Sequence, residues 1–319
     1  MNMTKTDQHK DSSYAIITPC KDEAEFGRRT LESVTSQTIP PSVWIIVDDG
    51  STDETPSLLA EYEARFDYIR VIRVDRGPER RVGPAVIEAF NVGYQTIDSS
   101  QYAYLCKLDL DLELPHDYFE KLISKMEANP RLGSCSGKAF YPDTRTGKLV
   151  SEKISDEMAV GASKFYRTAC YLEVGGFVNQ VMWDGIDSHL CRMKGWQTTS
   201  FPDEDLIFVH LRPMGSSHQG IWTGRVRHGF GQYFMGTHPI YMLISGLYRM
   251  TRPPLLLGGV GMIWGYIKSA LTKTPRYENP EFRRFLRKYQ WECLFLGKAR
   301  ATRRLDQSQV SAKASNPLT

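Results

Sequence analysis

Two adjacent acidic residues, Asp48 and Asp49, follow the apolar run 43–47 and precede the turn sequence 50–53. Carboxylates at the end of a strand can accept hydrogen bonds from a nucleotide base or from ribose hydroxyls. A structural alternative is that the segment forms a turn and that one of residues 51–53 caps the next helix. We expect residues 51–53 to provide the cap, and Asp48 and Asp49 to contact a ligand.

A second acidic pair, Asp109 and Asp111, follows the apolar run 102–108. Because side chains alternate along an extended strand, these two carboxylates are expected on the same side. Such a pair is a hard-oxygen site for Mg²⁺ or Mn²⁺, which typically keep phosphate oxygens among their ligands. The alternative is a solvated strand end. The pattern therefore indicates a divalent-metal site if the strand lies in a suitable sheet.

These acidic pairs need a scaffold that brings strand ends together. Apolar runs and amphipathic patterns alternate along the first half of the chain. Strands are predicted at 14–18, 43–47, 69–74 and 102–108, and helices at 23–37, 54–66, 84–97 and 115–129. This alternation predicts an α/β fold with right-handed crossovers and a mostly parallel sheet. Ligands bind beyond the carboxyl ends of such strands, where both acidic pairs fall.

The second half of the chain is less regular. Its patterns predict a strand over 133–141, a helix over 187–194, a strand over 206–211 and an amphipathic helix over Pro280–Leu296. Domains are expected at 13–228, with a donor half to about residue 112 and an acceptor half from 113, and at 229–304. The polar ends, 1–12 and 305–319, are expected to be flexible and disordered, respectively.

Three motifs in this order resemble family 2 glycosyltransferases of the GT-A fold. They are Ile17–Glu23 (ITPCKDE), Asp48–Asp53 (DDGSTD) and Asp109–Asp111 (DLD), and the resemblance extends over residues 14 to about 212. It implies a GT-A-like, Rossmann-like sheet flanked by helices, with a helical C-terminal extension. It also implies a bacterial-type enzyme of surface or exopolysaccharide synthesis that uses a nucleotide-diphosphate sugar, with a UDP-type donor favoured.

The resemblance also assigns site residues. It implies a donor nucleotide held by Pro19, Glu23 and Asp49, and we name Asp48, Lys107 and Asp109 as further candidates for the same role. A divalent cation, Mg²⁺ or Mn²⁺, would be held by Asp109, Asp111 and His210. A lone histidine in an apolar run can equally be a core residue, so both interpretations of His210 stay open. Arg76, Arg80 and Arg81 are candidate phosphate or sugar contacts, although a solvated loop is the alternative.

The family carries a further acidic motif before a helix that ends in Gly-Trp. Trp183–Asp187 (WDGID), followed by Gly195 and Trp196, occupies that place here. Gly185 stands where the family has its second acid, and the stretch to Gly195 is one residue shorter. Asp184 is therefore the leading candidate for the catalytic base and Asp187 the reserve. Helix capping is the alternative role, with Asp187 as cap and Asp184 reaching into a cleft.

Charge is unevenly distributed along the 319 residues. Eleven Lys and Arg against three Glu in 268–304 give this segment +8, within a chain whose formal net charge is +3. The apolar runs 238–248 and 253–267 are short for a membrane span. Peripheral membrane contact through 238–304 is one interpretation, and a buried cap or a homodimer interface is the other. No nucleic-acid module is recognisable, so a nucleic-acid partner is not expected.

The predicted function is inverting, metal-dependent transfer of a sugar to an acceptor hydroxyl, on a glycan or lipid-linked acceptor, in polysaccharide or glycolipid assembly. The alternatives are a sugar nucleotidyltransferase and a non-catalytic, membrane-associated protein that binds nucleotide sugars. A sugar nucleotidyltransferase would require a glycine-rich loop after the first strand, but residues 19–23 contain no glycine. Six scattered cysteines without a C-x-x-C pair, and an N-terminus without an apolar signal core, predict a cytoplasmic protein, peripheral at most on the inner face of the membrane.

Overall fold

A computed structural model describes residues 12–74, 83–143, 145–212, 220–252 and 254–315. The chain divides into two compact units. The first comprises Met1–Asn179 and Trp196–Met214, and the second comprises Gln180–Gly195 and Gly215–Thr319. This division differs from the expected boundary after residue 228, because two segments before that boundary belong with the C-terminal helices.

The strands found among the described residues all belong to the first unit. In chain order they are β1 (Tyr14–Cys20), β2 (Val43–Asp48), β3 (Ile69–Arg73), β4 (Tyr104–Leu108), β5 (Leu112–Glu113), β6 (Leu132–Ser136), β7 (Ala139–Pro142), β8 (Leu149–Ser151), β9 (Ser163–Arg167), β10 (Gln197–Ser200) and β11 (Phe208–His210). Seven form one sheet in the order β10-β6-β9-β4-β1-β2-β3, and four form a second sheet in the order β5-β11-β7-β8.

Helices flank the main sheet of this unit. They are α1 (Ala24–Thr35), α2 (Thr55–Glu63), α3 (Pro84–Tyr94), α4 (Tyr118–Ala128) and α5 (Thr168–Val174). The pairs β1–β2, β2–β3, β1–β4 and β6–β10 are parallel, whereas β9 is antiparallel to both β4 and β6. Every residue of β1 and β2 is buried, as expected for strands covered on both faces. The predicted strand–helix alternation is confirmed.

The predicted strand over 133–141 is wrong, because the chain changes sheet at Gly137. Strand β6 ends at Ser136 in the main sheet and β7 begins at Ala139 in the second sheet. A Cβ on Gly137 would overlap the carbonyl oxygen of Leu206, so only glycine fits this approach. The residue types over 133–141 therefore do not reveal the break, which is set by packing against a distant segment.

The second unit is helical. Its helices are α6 (Trp183–Met193), α7 (Gly220–Met235), α8 (Pro239–Met250), α9 (Leu257–Leu271), α10 (Pro280–Leu296) and α11 (Lys298–Ser315). Helix α10 has the predicted bounds, and the Asn279 side chain caps it by accepting a hydrogen bond from the Phe282 amide at 2.9 Å. Within the described ranges, no helix is both long and apolar enough to cross a membrane.

Two expectations for this unit differ from the structure. Helix α6 begins at Trp183 rather than Asp187, because Met182, with a φ of 67°, forms its N-terminal boundary. Asp187 is therefore inside the helix and does not cap it. Helix α11 continues through 305–315, where a disordered tail was expected, and its residues Ala301 and Leu305 pack against α10.

Candidate active site

The carboxyl ends of β1, β2 and β4 meet at one edge of the main sheet. Strand β1 pairs in parallel with β2, placing Cys20 opposite Asp48, and with β4, placing Ile17 opposite Lys107. The Asp49 amide also donates a hydrogen bond to the Cys20 carbonyl oxygen at 2.9 Å. Both acidic pairs predicted from the sequence therefore follow β2 and β4, the two strands that flank β1, at the edge where parallel sheets bind ligands.

Asp48 is used to close the turn after β2. It is buried, its Oδ1 accepts a hydrogen bond from the Ser51 amide at 2.8 Å, and its Oδ2 lies 3.7 Å from Nη1 of Arg73. Asp49 is half-buried, and its carbonyl oxygen accepts a hydrogen bond from Lys21 Nζ at 3.1 Å. Of this pair, Asp49 has the more accessible side chain for a ligand.

The expected cap of α2 by one of residues 51–53 is not formed: the N-terminal boundary residue is Glu54, and its side chain makes no capping hydrogen bond. Asp53, one residue earlier, instead binds two backbone amides. Its Oδ1 accepts a hydrogen bond from the Thr55 amide at 2.9 Å, at the start of α2, and its Oδ2 accepts one from the Ala24 amide at 3.1 Å, at the start of α1. Ser51 instead accepts a hydrogen bond from the Asp22 amide at 2.9 Å. Residues 51–53 thus fasten the two loops that follow β1 and β2 to each other.

Arg212 joins two buried carboxylates that follow different strands. Its Nε donates a hydrogen bond to Oδ2 of Asp111 at 2.6 Å, and its Nη2 pairs with Oε1 of Glu23. A guanidinium presents several donors in a fixed fork, so one cation can compensate both acids. Sequence reasoning did not single out Arg212; its only local signal is its position two residues after His210, at the end of the same strand.

His210 contacts the same oxygen of Asp111 as Arg212 does. Its Nε2 is 3.4 Å from Oδ2 of Asp111, and its Nδ1 is 3.0 Å from Oε1 of Glu152. Burial alone would lower the pKa of His210, but the hydrogen bonds to Asp111 and Glu152 raise it to about 10. Glu152 is a second residue that sequence reasoning missed, since it is 58 residues from His210.

Asp109 and Asp111 have opposite pKa shifts. Burial raises the pKa of Asp109 above its ordinary value; Lys107 opposes this shift and the charge of Asp111 adds to it. Burial would also raise the pKa of Asp111, but His210 and then Arg212 hold it below its usual range. Lys107 is buried, pairs with Asp109 and donates a hydrogen bond to the Gly161 carbonyl oxygen at 3.0 Å. At this edge, Lys107 positions Asp109.

The donor set around Asp111 fits a divalent cation that takes its other ligands from a diphosphate. Among the described residues, no three His, Cys, Asp or Glu side chains form a complete metal site. Mg²⁺, however, usually needs only one or two protein carboxylates when substrate phosphates supply further oxygens. Asp109 and Asp111 provide such oxygens, and His210 would provide an imidazole nitrogen once it has lost its proton and its ion pair with Asp111. In the structure, Arg212 and His210 supply the positive charge beside Asp111.

The two candidates for a catalytic base lie in the second unit, on α6. Asp184 is in the first turn and half-buried, whereas Asp187 is only 1% exposed. Ser188 Oγ is 2.8 Å from the Asp184 carbonyl oxygen and 3.5 Å from Oδ1 of Asp187. His228 on α7 interacts electrostatically with Asp184. Burial and then the charge of Arg225 lower the pKa of His228 to about 4, and the negative charge of Asp184 partly opposes this shift.

The remaining predicted residues are placed as follows. Pro19 lies within β1, buried and opposite Val47. Arg76, Arg80 and Arg81 lie outside the described residues. The structure therefore brings together Glu23, Asp48, Asp49, Lys107, Asp109, Asp111 and His210 in the first unit, and it places Asp184 and Asp187 on one helix of the second.

Comparison with known proteins agrees with these motifs. The family model described as "Glycosyl transferase family 2" matches residues 15–178. A poly-beta-1,6-N-acetyl-D-glucosamine synthase of Staphylococcus epidermidis is 29% identical over 136 residues, which cover 42% of this chain and 30% of that relative. The matched part is therefore less than a third of that relative's length.

Solved structures show the same fold. The mannosyltransferase PcManGT from Pyrobaculum calidifontis, in complex with GDP-Man and Mn²⁺, matches 95% of this chain and 75% of its own with a TM-score of 0.50 and 17% identity. S. aureus TarS 1-349, in complex with UDP-GlcNAc, matches 94% of this chain and 92% of its own with a TM-score of 0.50 and 12% identity. This likeness concerns the fold and confirms the predicted GT-A-like α/β class.

Proposed function

The chain belongs to glycosyl transferase family 2, and on that basis we propose that it is an inverting, metal-dependent glycosyltransferase. It moves a sugar from a nucleoside-diphosphate sugar, with a UDP-type donor favoured, to a hydroxyl of a glycan or lipid-linked acceptor. The relative named as a poly-beta-1,6-N-acetyl-D-glucosamine synthase supports a place in polysaccharide or glycolipid assembly.

The observation that carries this proposal is the arrangement of acids and bases at the carboxyl edge of β1, β2 and β4. Asp49 is accessible beside the β2 end, whereas Asp109 and Asp111 follow β4. Arg212 and His210 both contact Oδ2 of the Asp111 carboxylate. Asp49 can accept hydrogen bonds from a nucleoside, and the charged groups around Asp111 suit a diphosphate. We therefore place the nucleoside beside Asp49 and the diphosphate beside Asp111.

Glycosyl transfer passes through an oxocarbenium-like state and releases a nucleoside diphosphate. A divalent cation held by Asp109, Asp111 and His210 would neutralise charge on that leaving group. Arg212 would support the same charge, since it already touches Asp111 and Glu23. Lys107 keeps Asp109 in place from within the sheet.

Inversion requires one carboxylate to accept the proton of the attacking hydroxyl. We assign this role to Asp184, because its side chain keeps accessible surface at the start of α6. Asp187 is 1% exposed, which leaves an acceptor hydroxyl no route to it in this conformation. Exposure therefore favours the leading candidate over the reserve.

Asp184→Asn tests the assignment because it keeps the shape and removes the base. We expect donor binding within about twofold of wild type and transfer reduced about 10²–10⁴-fold. Nuclear magnetic resonance of the product should show an anomeric configuration opposite to that of the donor. Asp187→Asn, compared at equal folded fraction, is the matched control. Normal turnover by Asp184→Asn, or retention of configuration, would overturn the proposal.

Peripheral contact with a membrane through 238–304 belongs to the same proposal. The exposed surface of the second unit supports it in one part of that range, namely the helices α8 and α9. A membrane site would suit a lipid-linked acceptor, whereas a soluble glycan acceptor would not require one.

A further inference from the structure

Helix α8 exposes an apolar stripe along one side. The residues of the stripe recur at helical spacing and are each at least two-fifths exposed: Ile240, Leu243, Ile244, Leu247 and Tyr248. On the opposite side, Met242 and Gly246 are buried. An amphipathic helix of a water-soluble domain directs its apolar side inward, so a stripe of this size facing outward indicates a partner.

Helix α9 repeats the arrangement. Its exposed apolar residues are Leu257, Val260, Trp264, Ile267 and Leu271, again at helical spacing. Leu255 and Leu256, just before the helix, are also exposed. Because α8 and α9 pack against each other, the two stripes lie on neighbouring helices. We call the exposed apolar residues of 240–271 the α8–α9 face.

Glycines occupy the contacts between these helices. A Cβ on Gly259 would overlap the carbonyl oxygen of Gly246, which joins α9 to α8. A Cβ on Gly265 would overlap the carbonyl oxygen of Val226, which joins α9 to α7. Tyr233, Met242, Met262 and Tyr266 form a small buried cluster beside these close contacts, while the exposed side of α8 and α9 carries most of their leucine and isoleucine residues. Small residues at close helix contacts are typical of helices that pack in an apolar medium.

Charge identifies the medium. The sequence contains no Asp or Glu between Asp205 and Glu278. Over 220–277 the charged residues are all basic, namely Arg225, Arg227, Arg249, Arg252, Lys268, Lys273 and Arg276. Arg252, at the end of α8, and Lys268, within α9, are exposed beside the apolar stripes. Basic residues at the border of an apolar surface complement anionic lipid headgroups.

We propose that the α8–α9 face docks on an anionic lipid bilayer, with both helices lying along the surface and their exposed apolar residues in the headgroup–acyl boundary. Stripes confined to one side of each helix fit this orientation. The inference narrows the proposed membrane contact to 240–271 and rests on the proposed function only for its use in catalysis. Binding is measured without any sugar, so its failure is distinguishable from a failure of transfer.

Sedimentation with vesicles tests the docking. The full chain is mixed with phosphatidylcholine vesicles, with or without about one third phosphatidylglycerol, and the bound fraction is measured. The test variant is Leu243→Ser with Leu247→Ser, which are 49% and 51% exposed. The matched control is Leu149→Ser with Leu172→Ser, 49% and 53% exposed in the first unit. We expect about tenfold weaker binding for the test pair and none of this loss for the control.

Two further measurements keep the test independent of folding. Arg252→Gln with Lys268→Gln should remove most of the salt-sensitive preference for phosphatidylglycerol. Quenching by brominated lipids should affect wild-type Trp fluorescence more than that of Trp264→Phe. Equal binding by test and control pairs would overturn the proposal, as would absence of quenching. A wild-type dimer in sedimentation analysis that the Leu pair dissociates, without vesicle binding, would assign the face to a second copy instead.

Discussion

The acidic edge of the first unit and the helices α7–α9 of the second are built in opposite ways. At the acidic edge, charged side chains turn toward one another, as when Arg212 contacts both Glu23 and Asp111. Between α7, α8 and α9, glycines allow close backbone contacts beside a small buried cluster of large side chains, and many other large apolar side chains face outward. The acidic edge is stabilised by ion pairs and can receive a charged ligand. The close contacts between the helices require residues without a side chain, and the outward apolar residues leave a surface for a partner.

Asp111→Asn gives the largest expected effect, because it removes the negative charge of the carboxylate at the centre of the acidic edge. We expect transfer to fall at least about 10³-fold, since this carboxylate would hold the proposed divalent cation and it contacts Arg212 and His210. Initial rates with a saturating nucleotide sugar and Mn²⁺ provide the measurement. Asp67→Asn, an acid outside this network, should stay within about twofold. Comparable rates for both variants would remove the acidic edge from the mechanism.

Arg212→Gln should destabilise the first unit, because it leaves two buried carboxylates without their shared cation. We expect the free energy of unfolding in urea to fall by about 2–4 kcal/mol. Arg212→Lys should recover only part of this, since a single ammonium cannot reproduce the fork. Arg65→Gln is the control: its ion pair with Glu61 is exposed, so the loss should be below about 1 kcal/mol. Equal losses at both positions would contradict the description of the edge.

Gly265→Ala tests whether close packing between the helices of the second unit requires glycine. The added methyl group would meet the Val226 backbone, so we expect a loss of about 1–3 kcal/mol in the free energy of unfolding. Gly224→Ala on α7 is the matched control, because nothing lies within 4 Å of its Cβ position. There alanine should stabilise the helix by about 0.5–1 kcal/mol. The same sign at both glycines would show that close helix packing is not the determinant.

The smallest expected effect concerns pH. Because the folded-state pKa of His228 is about 4, below the ordinary histidine value of 6.5, the unfolded chain binds more protons between these two pH values. The contribution of His228 is therefore present above about pH 6.5 and is lost as pH falls toward 4. His228 is partly exposed, so solvent screening reduces the effect, and we expect its contribution to the free energy of unfolding to be about 1–2 kcal/mol. His228→Gln should flatten this part of the urea-derived stability profile, and an unchanged slope would contradict the prediction.

The sequence predicts the sheet of the first unit well because the relevant signals are local. Buried runs such as 43–47 and the acids that follow them need no distant information. The break at Gly137 is different, since it depends on the Leu206 carbonyl oxygen, and the start of α6 depends on a left-handed Met182. Neither feature can be recognised from the order of residue types in the sequence alone.

The candidate site is predictable only in part for the same reason. Asp49, Asp109 and Asp111 follow strands and are found from spacing. The partners that set their electrostatics come from far along the chain: Arg212 is 101 residues from Asp111 and 189 from Glu23. A single sequence gives no signal for pairs at such separations. Asp184 and Asp187 are distinguished by burial, which depends on how α6 packs.

Calorimetric titration tests the central claim most directly. UDP-GlcNAc and GDP-mannose are titrated into wild-type protein and into Asp111→Asn, each with and without Mn²⁺. We predict saturable binding of at least one nucleotide sugar to wild type with Mn²⁺, weakened at least about tenfold without the metal and in the variant. Binding that is equal in wild type and Asp111→Asn, or no binding of either nucleotide sugar to wild type with Mn²⁺, would contradict the account.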